Sequence, residues 1–444
     1  MTTAPGRALI LAAPSSGCGK TTLTLALLRA LSRSPDIAVG PVRGAKFGPD
    51  YIDPAFHAAA CGLPCPNLDP WAMSPDRLKL LAAGPGLLLV EGAMGLFDGA
   101  GVAGRGATAD LARLLDLPVI IVIDAARMAH SAAALVEGFA RHDPEVRVAG
   151  VILNRTGSPR HAAMLHAALE PTGLPVLGAV PRDADLALPD RHLGLVQATE
   201  HPDLEGFLNR AADVATAHID LAGLAALAAP LPKPSLNPPA LSPLGSRIAV
   251  AQDAAFAFAY PHLLGSWHAA GASLHPFSPL GGEPVPDDCD SVLLPGGYPE
   301  LHAGVLAAMR HVWDSVTRAA ERGATVYGEC GGYMILGRSL TDADGTTHRM
   351  AGLLDLDTSF ATRRLHLGYR KLTTDHGPLA GTWLGHEFHY ATTLSARGTP
   401  LFGAKDADGA PLPDMGLRAG TVCGSFAHLI DRAPAGLSRT AAAR

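Results

Sequence analysis

The chain has 444 residues, 48% of them apolar and 17% charged, with 49 Gly, 37 Pro and a net charge of −6. That length suggests two or three domains, and the low charge argues against a disordered chain or a coiled coil. A negative balance with 5% aromatics gives no basis for a nucleic-acid partner, and no run reaches the roughly 18 apolar residues of a membrane span.

The first apolar run, Ala8–Ala13, is short and leads into a glycine-rich turn. It reads as a buried strand and not as the core of a signal peptide. Further runs follow at Ile37–Val42, Leu87–Val90, Val119–Ile123, Val148–Leu153 and Val176–Val180. Unalternating runs of this length suit strands buried on both faces. Helical patterns lie between them, for example Thr22–Leu31 and Arg127–Phe139. The N-terminal part therefore reads as a doubly wound α/β domain. Residues 229–245 carry six prolines and predict a stiff linker. Beyond it, runs at Ile248–Ala251, Ser291–Leu294 and Thr325–Tyr327 predict strands, and a helix is expected from about Leu301 to Arg322. Leu353–Asp357, His386–Tyr390 and Gly420–Cys423 read as later strands of a second α/β domain.

Six cysteines (Cys18, Cys61, Cys65, Cys289, Cys330, Cys423) in so long a chain make no disulfide framework. Cys61 and Cys65 have no second pair nearby to complete a zinc site. The expected compartment is the reducing cytoplasm.

The first strand run is followed by Pro14-Ser15-Ser16-Gly17-Cys18-Gly19-Lys20-Thr21-Thr22. Gly19, Lys20 and Thr21 fit the end of the phosphate-loop pattern, although Pro14 stands where its first glycine would be. Gly17 and Gly19 let backbone N–H groups approach phosphate oxygens, and the helix start behind them favours anions. Lys20 can neutralise phosphates and the Thr21 hydroxyl can ligate Mg²⁺, so a nucleotide is the expected ligand. Mg²⁺ with a nucleotide wants one or two further carboxylates. Glu91 ends a strand run and opens the segment Glu91–Gly99, and Asp124 ends another and competes. Lys46–Pro54 (KFGPDYIDP) adds one cation and two acids, Asp50 and Asp53, that could face one way.

In the second part, Gly328-Glu329-Cys330-Gly331-Gly332 follows a strand run and precedes a helical pattern, as a nucleophile elbow requires. The turn exposes the thiol, the helix start is expected to lower its pKa, and Gly331 N–H can serve an oxyanion. Gly297, in the segment Leu294–Glu300 (LPGGYPE), is a second candidate donor. A thiol nucleophile needs a base; His428 is the best placed, with His386 and His389 as rivals.

A nucleotide site and a thiol elbow in one chain suggest ATP-driven amidation with glutamine as the nitrogen source. KFGPDYIDP, Asn67-Leu68-Asp69, EGAMGLFDG at Glu91–Gly99, LPGGYPE and GECGGY at Gly328–Tyr333 resemble the a,c-diamide synthases of corrin biosynthesis, over nearly the whole chain. Phe47 and Asp69-Pro70-Trp71 look more like the members that act on hydrogenobyrinic acid than those that act on cobyrinic acid. The resemblance implies a dethiobiotin-synthetase-like N-terminal domain with a phosphate loop and a parallel sheet, followed by a class I glutamine amidotransferase-like α/β domain. It implies Cys330 as nucleophile and His428 as base. ATP would be held by Ser16, Gly17, Gly19, Lys20, Thr21, Thr22, Lys46 and, near adenine, Asn154. Mg²⁺ would be held by Thr21, Asp53 and Glu91, and the tetrapyrrole by Asp50, Tyr51, Asp53 and Asp98. One departure stands out: class I amidotransferases often carry a Glu two residues after the histidine, and here that residue is Ile430. Asp431 and Glu329 are then open alternatives for orienting His428.

The expected partners are a tetrapyrrole, L-glutamine and ATP, with neither nucleic acid nor membrane. Coupled sites need an enclosed ammonia path, for which a homodimer is one arrangement. Cobyrinic acid or a nickel sirohydrochlorin is the alternative substrate. A partition-type ATPase is the alternative class; it would want a basic amphipathic membrane helix, which the Ala-rich segment 434–444 does not make, and it has no use for Cys330.

Overall fold

The computed structural model describes residues 6–434 except 39, 189, 192 and 193. The chain divides into two compact units, one up to Pro238 and one from Pro239.

The first unit is built on seven parallel strands in the order Asn67–Leu68, Val42–Phe47, Leu87–Glu91, Arg7–Ala12, Val119–Asp124, Val148–Thr156, Val176–Pro181. Leu9, Ile10, Leu11 and the whole of Val119–Ile123 are fully buried. This is why these segments lack polar alternation: both faces are covered. Arg7–Ala12 lies where the winding direction changes, so the loop after it opens at the crevice where such sheets bind ligands. Ala229–Pro230 pairs antiparallel with the start of that same strand. Part of the proline-rich segment is thus stitched to the first sheet.

One run was misplaced. Ile37–Val42 contains no strand before Val42: Pro35–Ala38 is a short helix and the strand is Val42–Phe47, with Val39 outside the described residues. Pro41 cannot donate to a ladder, so pairing begins after it.

The second unit has a six-stranded sheet ordered Ser273–Phe277, Arg247–Ala251, Ser291–Leu294, Thr325–Glu329, Val422–Ser425, Leu417–Ala419, of which only the last is antiparallel. A five-stranded antiparallel sheet contains His366–Thr374, Gly381–His389 and Ala427–Arg432. The chain leaves Val422–Ser425 of the first sheet and enters Ala427–Arg432 of the second within two residues. That step carries His428 from one sheet to the other. The predicted helix from Leu301 to Arg322 is two helices, Ala303–Ala308 and Arg310–Glu321, separated at Met309. The expected strand Leu353–Asp357 starts later, at Leu356–Ser359. Among the described residues, no helix is long and apolar enough to cross a membrane. Of the Ala-rich segment 434–444, residues 435–444 lie outside the described residues.

Candidate functional site

In the first unit, the helix Lys20–Ser32 begins directly behind the glycine turn. Gly19 is its left-handed N-cap (φ 85°), and no side chain caps it. The first-turn N–H groups are therefore left for an anion. A Cβ on Gly19 would lie 2.3 Å from the Asn154 side chain, so only glycine fits. Lys20 Nζ donates to the carbonyls of Ser15 (3.0 Å) and Met94 (2.6 Å), and burial lowers its pKa. Ser16 and Gly17 are exposed; Thr21 and Thr22 are half-buried on the first turn.

Behind this loop lies a buried ionic cluster. Lys46 and Glu91 are register partners on adjacent strands. Lys46 Nζ lies 2.5 Å from Asp53 Oδ2 and 2.7 Å from Glu91 Oε1. The Thr21 hydroxyl donates to Glu91 Oε1 (2.6 Å), and His57 Nε2 lies 2.6 Å from Glu91 Oε2. Burial opposes ionisation of Glu91, but Lys46 and His57 hold its carboxyl well below the usual range. Burial and then Asp50 push Asp53 up to about 7 against the pull of Lys46. His57 Nδ1 in turn meets the buried Cys65 thiol at 3.4 Å. His57 was missed in the sequence, where Cys65 was weighed only with Cys61 as part of a zinc site. His57 stands four residues after Asp53 on the helix Asp53–Cys61, so its face was legible; Cys65 arrives by tertiary packing.

The structure thus joins Thr21, Lys46, Asp53 and Glu91. The competing acid, Asp124, is instead taken up by Arg155 Nη1 (2.6 Å), which also donates to Gly17 O (2.8 Å). Asn154 Nδ2 donates to Cys18 O, and its Oδ1 accepts Arg155 N–H, so its side chain braces the phosphate loop. Asp50 Oδ1 accepts the N–H groups of Ile52 and Asp53 and holds the start of their helix. Tyr51 beside it is half-buried. Asp98 is exposed and accepts Gly95 N–H. Asn67 Nδ2 ties down the carbonyls of Gly48 and Asp50, and Asp69 accepts Trp71 and Ala72 N–H.

In the second unit, Cys330 sits between the strand Thr325–Glu329 and the helix Gly331–Leu336 with φ 47° and ψ −106°. A residue with a Cβ is strained there, and strain of this kind persists only where the surroundings enforce it. Cys330 N–H is tied to Ser425 O (2.8 Å). A Cβ on Gly332 would lie 1.9 Å from Leu294 O, so the turn needs glycine to pack. His428 is fully buried. A Cβ on Gly296 would lie 2.7 Å from His428 Nε2 and 3.2 Å from Cys330 Cβ, so both candidate residues border the same small space beside that glycine. A Cβ on Gly331 would lie 3.2 Å from Gly297 N, so the two expected oxyanion donors adjoin.

The thiol pKa departs from expectation. Burial, then the Glu300 carboxylate, push Cys330 up, and Gly331 N–H offsets only part of this. The short helix behind does not offset that burial, so the lowered thiol pKa expected from a helix start is not what the fold gives. Burial, with His386 and His389 nearby, lowers His428 to about 3, so it is a neutral acceptor. The rival histidines stand beside His428 and have contacts of their own. His386 packs against Tyr369, and His389 Nε2 lies 3.1 Å from Glu387, which also pairs with Arg370.

His366, Glu387 and His389 bring potential metal ligands within 4.8 Å of one another. The rings of His366 and His389 stack at 4.6 Å with an interplanar angle of 6°. Their in-plane lone pairs do not converge, and Glu387 is occupied by Arg370.

Residues 9–196 match the family model of the CobQ/CobB/MinD/ParA nucleotide-binding domain, and residues 247–435 that of the CobB/CobQ-like glutamine amidotransferase domain. The chain is similar to proteins named hydrogenobyrinate a,c-diamide synthase. That of Brucella anthropi is 55% identical over 435 residues, 96% of this chain and 98% of the relative. That of Rhizobium meliloti is 53% identical over 429 residues, covering 95% and 99%. That of Rhodobacter capsulatus is 52% identical over 434 residues, covering 96% and 98%.

Proposed function

From the premise that this chain belongs to the family of hydrogenobyrinate a,c-diamide synthases, we propose that it amidates the a- and c-side-chain carboxylates of hydrogenobyrinic acid, using ATP and glutamine. The observation that carries the reading is the pairing of two machines in one chain: a phosphate loop whose Thr21 hydroxyl meets Glu91, and a strained thiol elbow with a buried histidine. We assign residues 1–228 to ATP-dependent amide synthesis, 229–245 to a linker, and 246–444 to glutamine hydrolysis. The enzyme is expected in the cytoplasm, without nucleic-acid or membrane partners, and a homodimer is one way to enclose ammonia.

At the elbow, the Cys330 proton passes to His428 as Sγ attacks the glutamine amide carbon. Gly297 and Gly331 N–H groups face the developing oxyanion, and His428 returns the proton to the leaving ammonia. Water then hydrolyses the thioester. At the phosphate loop, backbone N–H groups and Lys20 receive the ATP phosphates, while Lys46 adds charge beside them. Such transfers depend on positioning and charge neutralisation. Ammonia attacks the carbonyl carbon of the acyl phosphate formed on the macrocycle, phosphate leaves as the amide forms, and the cycle repeats. The oxygens of Thr21, Asp53 and Glu91 fit Mg²⁺, a hard cation that would neutralise the phosphates. In this reading Asp50, Tyr51 and Asp98 line the approach of the macrocycle and Asn154 braces the loop near the adenine side.

Incubation with ATP, Mg²⁺, glutamine and hydrogenobyrinic acid should convert two carboxylic acids to amides in succession, followed by mass spectrometry. Parallel incubations with cobyrinic acid and nickel sirohydrochlorin should give less product; a preference for either would change the substrate, and no conversion of any tetrapyrrole would refute the reading. Gly296→Ala should lower glutamine hydrolysis at least ~10²-fold, because its methyl would lie 2.3 Å from His428 Cε1. Amidation from free ammonia should persist, which steady-state assays with each nitrogen source would reveal.

A further inference from the structure

His428 has Ile430, an apolar and buried residue, two positions on, so a carboxylate that orients it must come from elsewhere in the fold. The structure brings one from the nucleophile's own strand. Glu329 Oε2 lies 3.6 Å from His428 Nδ1, and both side chains are buried. The other carboxylate oxygen, Oε1, accepts the Leu429 N–H at 3.0 Å. Glu329 is therefore fixed at both ends of its reach: its backbone leads into the elbow, and its head is tied to the residue after His428. Asp431, the other candidate, accepts the Arg432 N–H through Oδ1.

We propose that Glu329 is the positioning residue for His428, completing with Cys330 a relay whose carboxylate stands next to the nucleophile in sequence. The proposal rests on the amidotransferase reading given above. In the step it serves, the Cys330 thiol proton moves to His428 Nε2 while the Sγ–carbon bond forms. The imidazolium then carries its second proton on Nδ1, the atom that faces Glu329. An ionised Glu329 stabilises that charge and keeps Nε2 aimed at the elbow. The other groups around the relay are the Phe258 backbone, His386 and His389 beside His428, Tyr327 beside Glu329, and Glu300 and Glu387 beside Cys330. Burial raises Glu329 to about 7, so it ionises near neutral pH.

The test uses the full-length enzyme with Glu329→Gln and Glu329→Ala, and Asp431→Asn for comparison. Glu329→Gln keeps an acceptor for Leu429 N–H and guards against simple unfolding, which thermal melts check. The expected result is a fall of at least ~10-fold in kcat for glutamine hydrolysis with little change in KM. The wild-type kcat/KM should rise with pH through about 7, and this limb should disappear in Glu329→Gln while persisting in Asp431→Asn. Ammonia-dependent amidation should be unchanged in all three. A folded Glu329→Gln enzyme with wild-type kcat and the same pH limb overturns the proposal, as does loss of the limb in Asp431→Asn alone. Cys330→Ala run in parallel separates the two levels: if that variant still hydrolyses glutamine, the amidotransferase reading itself fails.

Discussion

Cys330→Ala is expected to lower glutamine-dependent amidation by a factor on the order of 10⁴ or more and to leave amidation from free ammonia within about two-fold of wild type. The size follows from the chemistry: without the thiol no thioester forms, and the oxyanion donors at Gly297 and Gly331 have nothing to assist. The separation follows from the first unit, whose phosphate loop and ionic cluster are built entirely from residues before Pro238. The backbone at Cys330 adds a second readout. At φ 47° alanine is as strained as cysteine, so Cys330→Ala should melt near the wild type. Cys330→Gly relieves the strain, partly offset by the entropy of glycine, and should be the more stable of the two by roughly 1 kcal/mol. Both variants should be equally dead with glutamine. If Cys330→Gly melts well below Cys330→Ala, the strained elbow is not what the fold enforces. If both lose ammonia-dependent amidation while folded, the division of labour between the units is wrong.

The two sites differed in how much of them could be read from the chain. The phosphate loop and its lysine are local: strand, glycine turn and helix start lie within a few residues, and the chemistry needs them contiguous. Glu91 was legible because it ends a strand at the same sheet edge. The choice between Glu91 and Asp124 was not, because it depends on which acid faces Thr21 and which is taken by Arg155, and both are packing facts. The same holds for Glu329 and Asp431 beside His428. The spacing showed that Ile430 replaces a carboxylate but could not say what orients the histidine, since the candidates sit on different strands. The strand His366–Thr374 went unread because its half-buried, polar face gives no apolar run to find. With it went Arg370 and the register that pairs His366 with His389. The thiol pKa failed for another reason: a helix-start argument is local, whereas the desolvation that raises Cys330 belongs to the assembled core.

Glu91→Gln is expected to reduce amidation from either nitrogen source at least ~10²-fold, with glutamine hydrolysis measured alone much less affected. The substitution keeps the shape of the side chain and removes its charge. In the native protein Glu91 accepts from Lys46 and Thr21 on Oε1 and lies 2.6 Å from His57 on Oε2. A neutral amide cannot serve as a strong ligand for Mg²⁺ and leaves Lys46 with Asp53 as its acidic partner in the cluster. Breaking a buried pair costs about 3–5 kcal/mol, and the remaining contact to Asp53 should keep the loss at or below the lower end. The pH dependence gives the sign. Because the folded protein holds the Glu91 carboxyl below its unfolded value of about 4.3, its contribution is fully present above that pH and fades as pH falls through and below it. The variant lacks that component, so its unfolding midpoint should change less with acidification than that of the wild type. Raising Mg²⁺ should recover part of the activity if Glu91 acts as a ligand, because weaker binding is then the defect. A folded Glu91→Gln enzyme with full ammonia-dependent amidation would remove Glu91 from the site, and a deficit indifferent to Mg²⁺ would make its work the placement of Lys46.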